Sequence, residues 1–545
     1  MTNVLLMTNV LLQPPPPSGG SGKAPLAISL SGGGHRATLF GLGCLLAIVD
    51  LGLNRRVTQI ASVSGGSILN AFVAHRCRFE EMTRETFEPV AHELASLVVN
   101  RGVLTKVLIY GFFSICFTFV TLAIAAPIYW RVLPLPVLSV FASLFFVVTL
   151  FLFRGLLIER IFDVRYFRSD RRVRLSNLAA DAVDHVICCT ELTTCSPFYV
   201  SSYKGGSASL RSAPAAVGRS RALARQWDAS ELPLAAAVRA SAGFPGIPPR
   251  RIRLSQFPSK RGPLLTFGGR VQATPEAPSP TIYLSDGGVW NNLGTQALLE
   301  DNFFKGEHSP SLNDGHPLIL IAANASGGLR RESGLQYCIP GWAELKAMLR
   351  IMLIQNLNTV GPRVDNLERT VQRDWVEDNA PSHLSPMTIP IGISQAPETL
   401  LKGWYSFFVT NQPKVLFSRL EWHWATKTLS DIETMLQKDA GDQKNELLTQ
   451  IDHSLRNKPH PRIDEERRRI EDLETRGFRE LCEMAEGELE AVPTNLDRIP
   501  RQTAIALIAR GYVNTLAMAY VFRLVELDHE MFARLTRERL ELLTS

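Results

Sequence analysis

The hydrophobic pattern of the first hundred residues consists of short apolar runs that alternate with helical stretches. Residues 25–31 and 57–63 are apolar or β-branched runs of strand length, which predicts two buried strands. Each run ends in a glycine-containing turn, and a helical pattern follows at 38–50 and at 67–75. Two consecutive strand–turn–helix units predict an α/β fold with a parallel sheet.

Three further apolar runs extend this pattern along the chain. They predict strands at 186–189, 281–285 and 317–322. The stretches between them, residues 203–230 and 255–280, are rich in Gly, Ser, Pro and Arg. That composition is typical of loops.

The pattern changes beyond about residue 328. A charged amphipathic helix is predicted at 464–490, and a more apolar helical stretch at 501–543. Arg510 and Arg523 interrupt the apolar stretch, which argues against a membrane span there. We therefore predict a mostly helical C-terminal region.

The most apolar part of the chain is residues 107–153, which contain a single charge, Arg131. The uncharged runs on either side of it are 24 and 22 residues long. As helices they would measure about 33–36 Å, which exceeds the roughly 30 Å of a bilayer hydrocarbon core. We predict a transmembrane helical hairpin at 104–156; a buried hairpin in a large soluble core is the alternative.

The charges that flank this hairpin predict its orientation. Seven arginines and three acidic residues lie between residues 154 and 174, whereas the predicted tip carries only Arg131. Because basic flanks stay on the cytoplasmic side, both main halves of the chain are expected to face the cytoplasm. The arginines beside the second span are also placed to meet anionic lipid headgroups.

Composition narrows the function classes. The 545 residues are 46% hydrophobic and 20% charged, which is typical of packed cores and excludes global disorder. A net charge of +6 is mild and does not indicate a nucleic-acid partner. Eight cysteines in a chain of this length show neither a disulfide framework nor zinc-site spacing, so a reducing compartment is the simpler interpretation.

A glycine-rich turn, SGGGHRA, lies between the first predicted strand and helix. Its glycines, Gly32, Gly33 and Gly34, allow backbone N–H groups to converge at a helix N-terminus. Such a nest binds a phosphate or an oxyanion equally well. A dinucleotide site is the less favoured interpretation, because Ala37 replaces the last glycine of that fingerprint.

Two further glycine turns carry a reactive side chain at the end of a predicted strand. Ser64 in SVSGG stands where a nucleophile elbow would hold it, although a serine before two glycines also begins many helices. The side chain of Asp286 in SDGG can point into a cleft, although the same sequence also occurs in ordinary turns. A Ser…Asp…His triad that uses one of the eleven histidines is an alternative chemistry.

Taken together and in this order, GGGHR, SVSGG and DGG resemble the patatin-like phospholipase family, with its glycine-rich oxyanion loop, its G-x-S-x-G elbow and its D-G-[AG] motif. The segment AVRASAGFPGIP at 237–248 and an Asn-Asn pair after DGG match as well. The resemblance covers about residues 25–325 apart from the predicted hairpin. Ser62 and Ala37 replace family glycines.

The resemblance implies hydrolysis of acyl esters by a Ser–Asp dyad, without cofactor or metal. Ser64 would attack the ester carbonyl, and Asp286 would accept its proton as general base. The expected substrates are membrane lipids: phospholipid, lysophospholipid or acylglycerol esters. The alternative is a non-catalytic, membrane-tethered lipid-binding or scaffolding protein with the same domain.

The resemblance also implies an oxyanion hole made of backbone N–H groups. The glycine loop Gly32, Gly33 and Gly34 would provide it, with Gly65 as a further donor. Arg36 is expected to bind substrate through a phosphate headgroup or to hold this loop.

The expected fold is a patatin-like three-layer α/β/α fold with an inserted transmembrane helical hairpin and a helical C-terminal region. The whole would be an integral membrane protein whose catalytic domain faces the cytoplasm. The predicted parts are a disordered leader at 1–24, a first part of the domain at 25–103, the hairpin at 104–156, a second part at 157–327 and the C-terminal region at 328–545.

Overall fold

The structure is a computed structural model. It describes residues 25–102, 155–168, 172–178, 182–193, 196–202, 208–212, 225–243, 248–257, 259–260, 281–298, 319–326, 387–394, 475–521, 524–525 and 527–544. The predicted leader and nearly all of the predicted hairpin lie outside these residues. Within the part of the chain that the structure describes, no helix has both the length and the apolar character needed to cross a membrane.

In the described ranges, eleven strands form one mixed sheet. They are β1 (Leu26–Leu30), β2 (Val57–Ser62), β3 (Asp184–Glu191), β4 (Ser196–Ser202), β5 (Ala208–Ser212), β6 (Arg225–Asp228), β7 (Arg250–Arg253), β8 (Ser259–Lys260), β9 (Thr281–Asp286), β10 (Ile319–Asn324) and β11 (Met387–Gly392). The order β11-β10-β1-β2-β3 is parallel, and β4, β5, β6 and β8 continue it as antiparallel neighbours. The predicted parallel α/β core is confirmed.

Among the residues that the structure describes, seven longer helices accompany the sheet. They are α1 (Gly34–Asp50), α2 (Gly65–Arg76), α3 (Arg84–Asn100), α4 (Leu234–Ser241), α5 (Arg476–Met484), α6 (Arg501–Val521) and α7 (His529–Thr544). A shorter helical segment at 155–161 continues into a π-helical turn at Phe162–Tyr166.

Both faces of the central strands β1, β2, β3 and β10 are buried, which makes the domain a three-layer α/β structure. Successive strand residues point to opposite faces. Leu26 and Ile28 of β1 belong to the main apolar core, whereas Ala27 between them belongs to a second, smaller cluster. The second cluster also contains Ala297 and Leu298, which lie in a helix on the other side of the sheet.

The C-terminal helices belong to the same core. Helix α6 packs along α1 so closely that a Cβ atom at Gly43 would overlap the backbone of Ile508. The side chain of Arg539 on α7 is completely buried and donates to Asp50 at the end of α1, at 2.9 Å. Glu88 on α3 accepts from the same guanidinium at 2.6 Å. The helical stretch predicted at 501–543 therefore packs against helices of the N-terminal part of the chain.

Several predicted boundaries are wrong. Strands β5, β6 and β8 lie inside the stretches 203–230 and 255–280 that were predicted as loops. Their cross-strand pairing outweighs a composition that is poor in β-branched residues. Strand β11 lies in the region predicted to be mostly helical and extends the parallel sheet next to β10. The helix predicted at 464–490 ends at Met484, and Gly487, with φ +111°, follows that end.

Candidate active site

Ser64 lies in a sharp turn between β2 and α2. Its φ is +50° and its ψ is −113°, a conformation that costs a non-glycine residue about 1–3 kcal/mol. The turn also needs Gly65, because a Cβ atom there would overlap the carbonyl of Gly34. This geometry matches the strained strand-to-helix turn of a nucleophile elbow.

Ser62, which replaces a family glycine, is accommodated by hydrogen bonds. Its side chain is buried, and its hydroxyl donates to the carbonyl oxygen of Val186 at 3.0 Å. The amide of Asn70 donates to the Ser62 hydroxyl at 2.9 Å. The extra hydroxyl group therefore has hydrogen-bond partners nearby, and the turn at Ser64 keeps its shape.

The strand pairing brings Asp286 to Ser64. Strand β2 ends at Ser62, which is in register with Ile187 of β3. Strand β9 then pairs with the next part of β3, where Asp286 is in register with Cys189. Two residues along a strand span about 6.6 Å. Asp286 therefore stands just past the end of β2, where the Ser64 turn begins.

The carboxyl group of Asp286 is buried and hydrogen-bonded. Its Oδ1 accepts the N–H of Gly288 at 2.7 Å, and the side chain of Ser64 is close enough to lower the pKa of the carboxyl. The hydroxyl of Thr190 donates to the Asp286 backbone carbonyl at 2.8 Å and fixes the strand end.

Burial decides the protonation of Asp286. Loss of solvation raises the pKa of its carboxyl from 3.8 to about 7, and the hydrogen bonds from Gly288 and Ser64 oppose this rise. A carboxyl group with a pKa near 7 can both accept and return a proton at neutral pH, which is the property that a general base needs.

The glycine loop faces Ser64 from the end of β1. A Cβ atom at Gly32 would lie 3.3 Å from the Cβ of Ser64, so the two turns are in direct contact. The N–H of Gly32 already donates to the carbonyl of Asn292 at 2.9 Å. The prediction that Gly32 is an oxyanion donor is therefore wrong. Within the described residues, the N–H groups of Gly33, Gly34 and Gly65 have no such acceptor.

Of the two roles expected for Arg36, the contacts of its side chain favour holding the glycine loop over binding a headgroup. Its side chain is buried, and its guanidinium donates to the carbonyls of Glu490 and Val492 at 2.7 and 2.8 Å. Burial lowers the pKa of Arg36 to about 10, so the group stays charged at neutral pH. Sequence reasoning missed this arrangement because its partners are main-chain atoms more than 450 residues away.

A family model described as patatin-like phospholipase matches residues 28–299. The chain carries a domain of the patatin-like phospholipase family. This match confirms the predicted family, and the three-layer α/β architecture is consistent with it. The family is one of lipid acyl hydrolases.

Two solved structures are distant neighbours of the chain. Human GIVD cytosolic phospholipase A2 is 11% identical with a TM-score of 0.33, over 64% of this chain and 48% of the human one. VipD from Legionella pneumophila is 12% identical with a TM-score of 0.24, over 93% and 92% of the two chains. This chain thus matches about half the length of the human enzyme. A search of curated proteins finds no match.

The patatin-like domain also contains a residue beneath the elbow that sequence reasoning did not single out. Ser241, at the end of α4, accepts the N–H of Ser64 at 3.0 Å and donates to the carbonyl of Cys188 at 2.7 Å. The hydroxyl of Ser67 lies 2.8 Å from that of Ser241. The signal was present in the AVRASAGFPGIP segment, whose serine fixes the backbone of the nucleophile turn.

Proposed function

We propose that the protein is a membrane-anchored serine acyl hydrolase of the patatin type, acting on phospholipid, lysophospholipid or acylglycerol esters. The observation that carries the proposal is the strained turn of Ser64, which lies beside the buried carboxyl of Asp286, a group whose pKa is raised. Strained serines with an adjacent base are the usual form of an activated nucleophile.

The proposed chemistry has two stages. The Ser64 oxygen attacks the ester carbonyl, Asp286 takes the hydroxyl proton, and the proton then passes to the departing alcohol. Water next attacks the acyl-serine, Asp286 takes a proton from that water, and the proton returns to Ser64 as the fatty acid leaves. The N–H groups of Gly33, Gly34 and Gly65 stabilise the oxyanion in both stages; each such donor is worth about 3–4 kcal/mol of barrier.

The proposed membrane anchor is the hairpin at 104–156. The described residues that border it, Gly102 and Gly155, pack against the domain. The backbone of Gly102 packs against Arg498, close to the segment that covers Gly34, and Gly155 packs against Arg239, two residues before Ser241. We propose that both flanks are cytoplasmic, because of the arginine-rich stretch that follows the hairpin.

The surface along β7 and β9 supports a phospholipid substrate. Strand β9 ends at Asp286, and β7 pairs with its earlier part. Arg253, which pairs with Thr281, therefore lies about 17 Å along β9 from Asp286. Arg251 and Arg253 are exposed, and Tyr283, opposite Arg251, is 40% exposed. Arginines with an interfacial aromatic ring suit a layer of phosphate headgroups.

The test is labelling of the membrane fraction with a fluorophosphonate probe. We expect wild type and the exposed-serine control Ser176→Ala to label equally, Ser64→Ala to lose labelling and Asp286→Asn to label weakly. Equal labelling of Ser64→Ala would place the nucleophile elsewhere. A folded wild type that neither labels nor hydrolyses phospholipid would favour the non-catalytic, lipid-binding alternative.

A further inference from the structure

The C-terminal segment 488–498, which lies outside the matched range 28–299, packs directly on the glycine loop. The N–H of His35 donates to the carbonyl of Asn495 at 2.9 Å. A Cβ atom at Gly34 would overlap the same carbonyl. The main chain of Asn495 therefore forms the outer wall of the loop that carries the proposed oxyanion donors.

Two side chains of the loop hold this segment. The guanidinium of Arg36 bridges the carbonyls of Glu490 and Val492 at 2.7 and 2.8 Å. The ring Nδ1 of His35 lies 2.7 Å from the carbonyl of Asp497. Together with the His35 main chain, the loop and the first turn of α1 thus hold four carbonyls of one short segment.

The histidine is also fixed on its other side. Burial lowers the pKa of His35 to about 4, so the ring is neutral. Its Nδ1–H must donate to the Asp497 carbonyl, which leaves Nε2 to accept the hydroxyl proton of Tyr166 at 2.7 Å. Tyr166 is itself fully buried in the π-helical turn that follows the 155–161 helix. The neutral ring therefore joins three parts of the chain in a single hydrogen-bonded arrangement.

The residues just before this segment are hydrogen-bonded to the rest of the molecule. Arg510 on α6 is buried, and its guanidinium donates to the carbonyls of Ala485, Ile393 and Gly487 at 2.7, 2.8 and 3.2 Å. The start of the segment is thereby tied to the end of β11 and to α6. Because the start of segment 488–498 is held in place, the segment can hold the glycine loop in one position.

From these contacts we infer that His35 and Arg36 are positioning residues, and that segment 488–498 completes the active site by holding the Gly33 and Gly34 amides in the oxyanion geometry. The inference rests on the proposed function. It assigns the C-terminal region a part in catalysis rather than the role of a separate appendage.

The test compares Arg36→Lys and Tyr166→Phe with Tyr512→Phe. Lysine keeps the charge but cannot bridge two carbonyls with a planar fork. Tyr166→Phe removes only the hydroxyl that bonds His35. Tyr512→Phe is the matched control, because it removes an equally buried hydroxyl, bonded to Asp50 at 2.8 Å on the opposite end of α1.

Two readouts are measured on the full-length protein. With a soluble short-chain ester we expect Arg36→Lys to lower kcat about 10- to 100-fold and Tyr166→Phe about 3- to 10-fold, with KM changed less than about threefold. Hydrogen–deuterium exchange of residues 30–40 should rise in both variants. Tyr512→Phe should lower the melting temperature while kcat and this exchange stay at wild-type values.

The outcomes separate the inference from the proposed function. Wild-type kcat and exchange in Arg36→Lys and Tyr166→Phe would overturn the inference, as would a loss of kcat in Tyr512→Phe equal to theirs. An inactive wild type would refute the proposed function instead. In that case the exchange of residues 30–40 still decides whether the C-terminal segment holds the glycine loop.

Discussion

The buried carboxyl of Asp286 predicts that an inactivating substitution stabilises the protein. Asp286→Asn keeps the shape of the side chain and removes its charge. The new amide oxygen can still accept the Gly288 N–H, and the amide nitrogen can donate to the Ser64 hydroxyl. The substitution can therefore keep these polar contacts. Its main effect is that the variant buries no charged group at this position.

The size and sign of the effect follow from the pKa. A rise from 3.8 to about 7 is about three units, each worth about 1.4 kcal/mol, which gives about 4 kcal/mol. Between these values the folded protein binds more protons at Asp286 than the unfolded chain does. The wild type therefore loses stability as pH rises from about 4 to about 7. The advantage of Asp286→Asn should be near zero at pH 4 and reach up to about 4 kcal/mol above pH 7.

The assay is the urea midpoint of wild type and variant at about pH 5 and pH 8, in the same detergent. Asp50→Asn is the contrasting control, since this buried carboxylate accepts from Arg539 at 2.9 Å and from Arg84 at 3.0 Å. It should destabilise by about 3–5 kcal/mol, because it leaves a buried guanidinium without its main partner. An Asp286→Asn variant that is no more stable at pH 8, or that gains as much at pH 5, would refute the burial argument.

The remaining predictions concern the rate, the elbow and the surface. If Asp286 acts as the base, kcat/KM on a soluble ester should rise about tenfold per pH unit below about pH 7 and level off above it; a flat profile from pH 5 to 8 would exclude this role. Gly65→Ala should abolish fluorophosphonate labelling, because the new Cβ atom would overlap the Gly34 carbonyl. The control Gly52→Ala places its Cβ atom with no other atom within 4 Å, so it should label normally although it costs about 1 kcal/mol of stability. Arg251→Glu combined with Arg253→Glu should reduce hydrolysis of anionic vesicles about tenfold or more and leave the soluble ester unaffected; an equal loss on both substrates would argue against a lipid-facing surface.

The central strands and the first helices could be predicted from local patterns. The apolar runs at 25–31 and 57–63 correspond to β1 and β2, and the motifs that follow them correspond to the glycine loop and the Ser64 turn. These patterns are reliable because fully buried parallel strands need continuous apolar residues and because tight turns need glycine. The same local signals could not find β5, β6 and β8, since their stability comes from neighbouring strands.

The roles of individual side chains depended on distant parts of the chain. The sequence placed Arg36 beside a candidate phosphate nest, yet the structure turns its guanidinium to carbonyls of the C-terminal segment. Gly32 belongs to the right motif, but Asn292 occupies its N–H. Every residue has a main-chain carbonyl, so these acceptors leave no pattern in the sequence. No motif could therefore predict the partners of Arg36 or of the Gly32 N–H.

The sequence by itself determined the α/β core, the three motifs and the candidate nucleophile and base, because each depends on a few adjacent residues that strands and tight turns require. Only the tertiary structure decided that β9 takes the place of β2 beside β3 and so brings Asp286 to Ser64. The tertiary structure also buries this carboxyl, and the loss of solvation raises its pKa to about 7. It further places a C-terminal segment over the glycine loop. Strand register, desolvation and main-chain contacts depend on which distant segments meet, and that is a property of the whole packed chain.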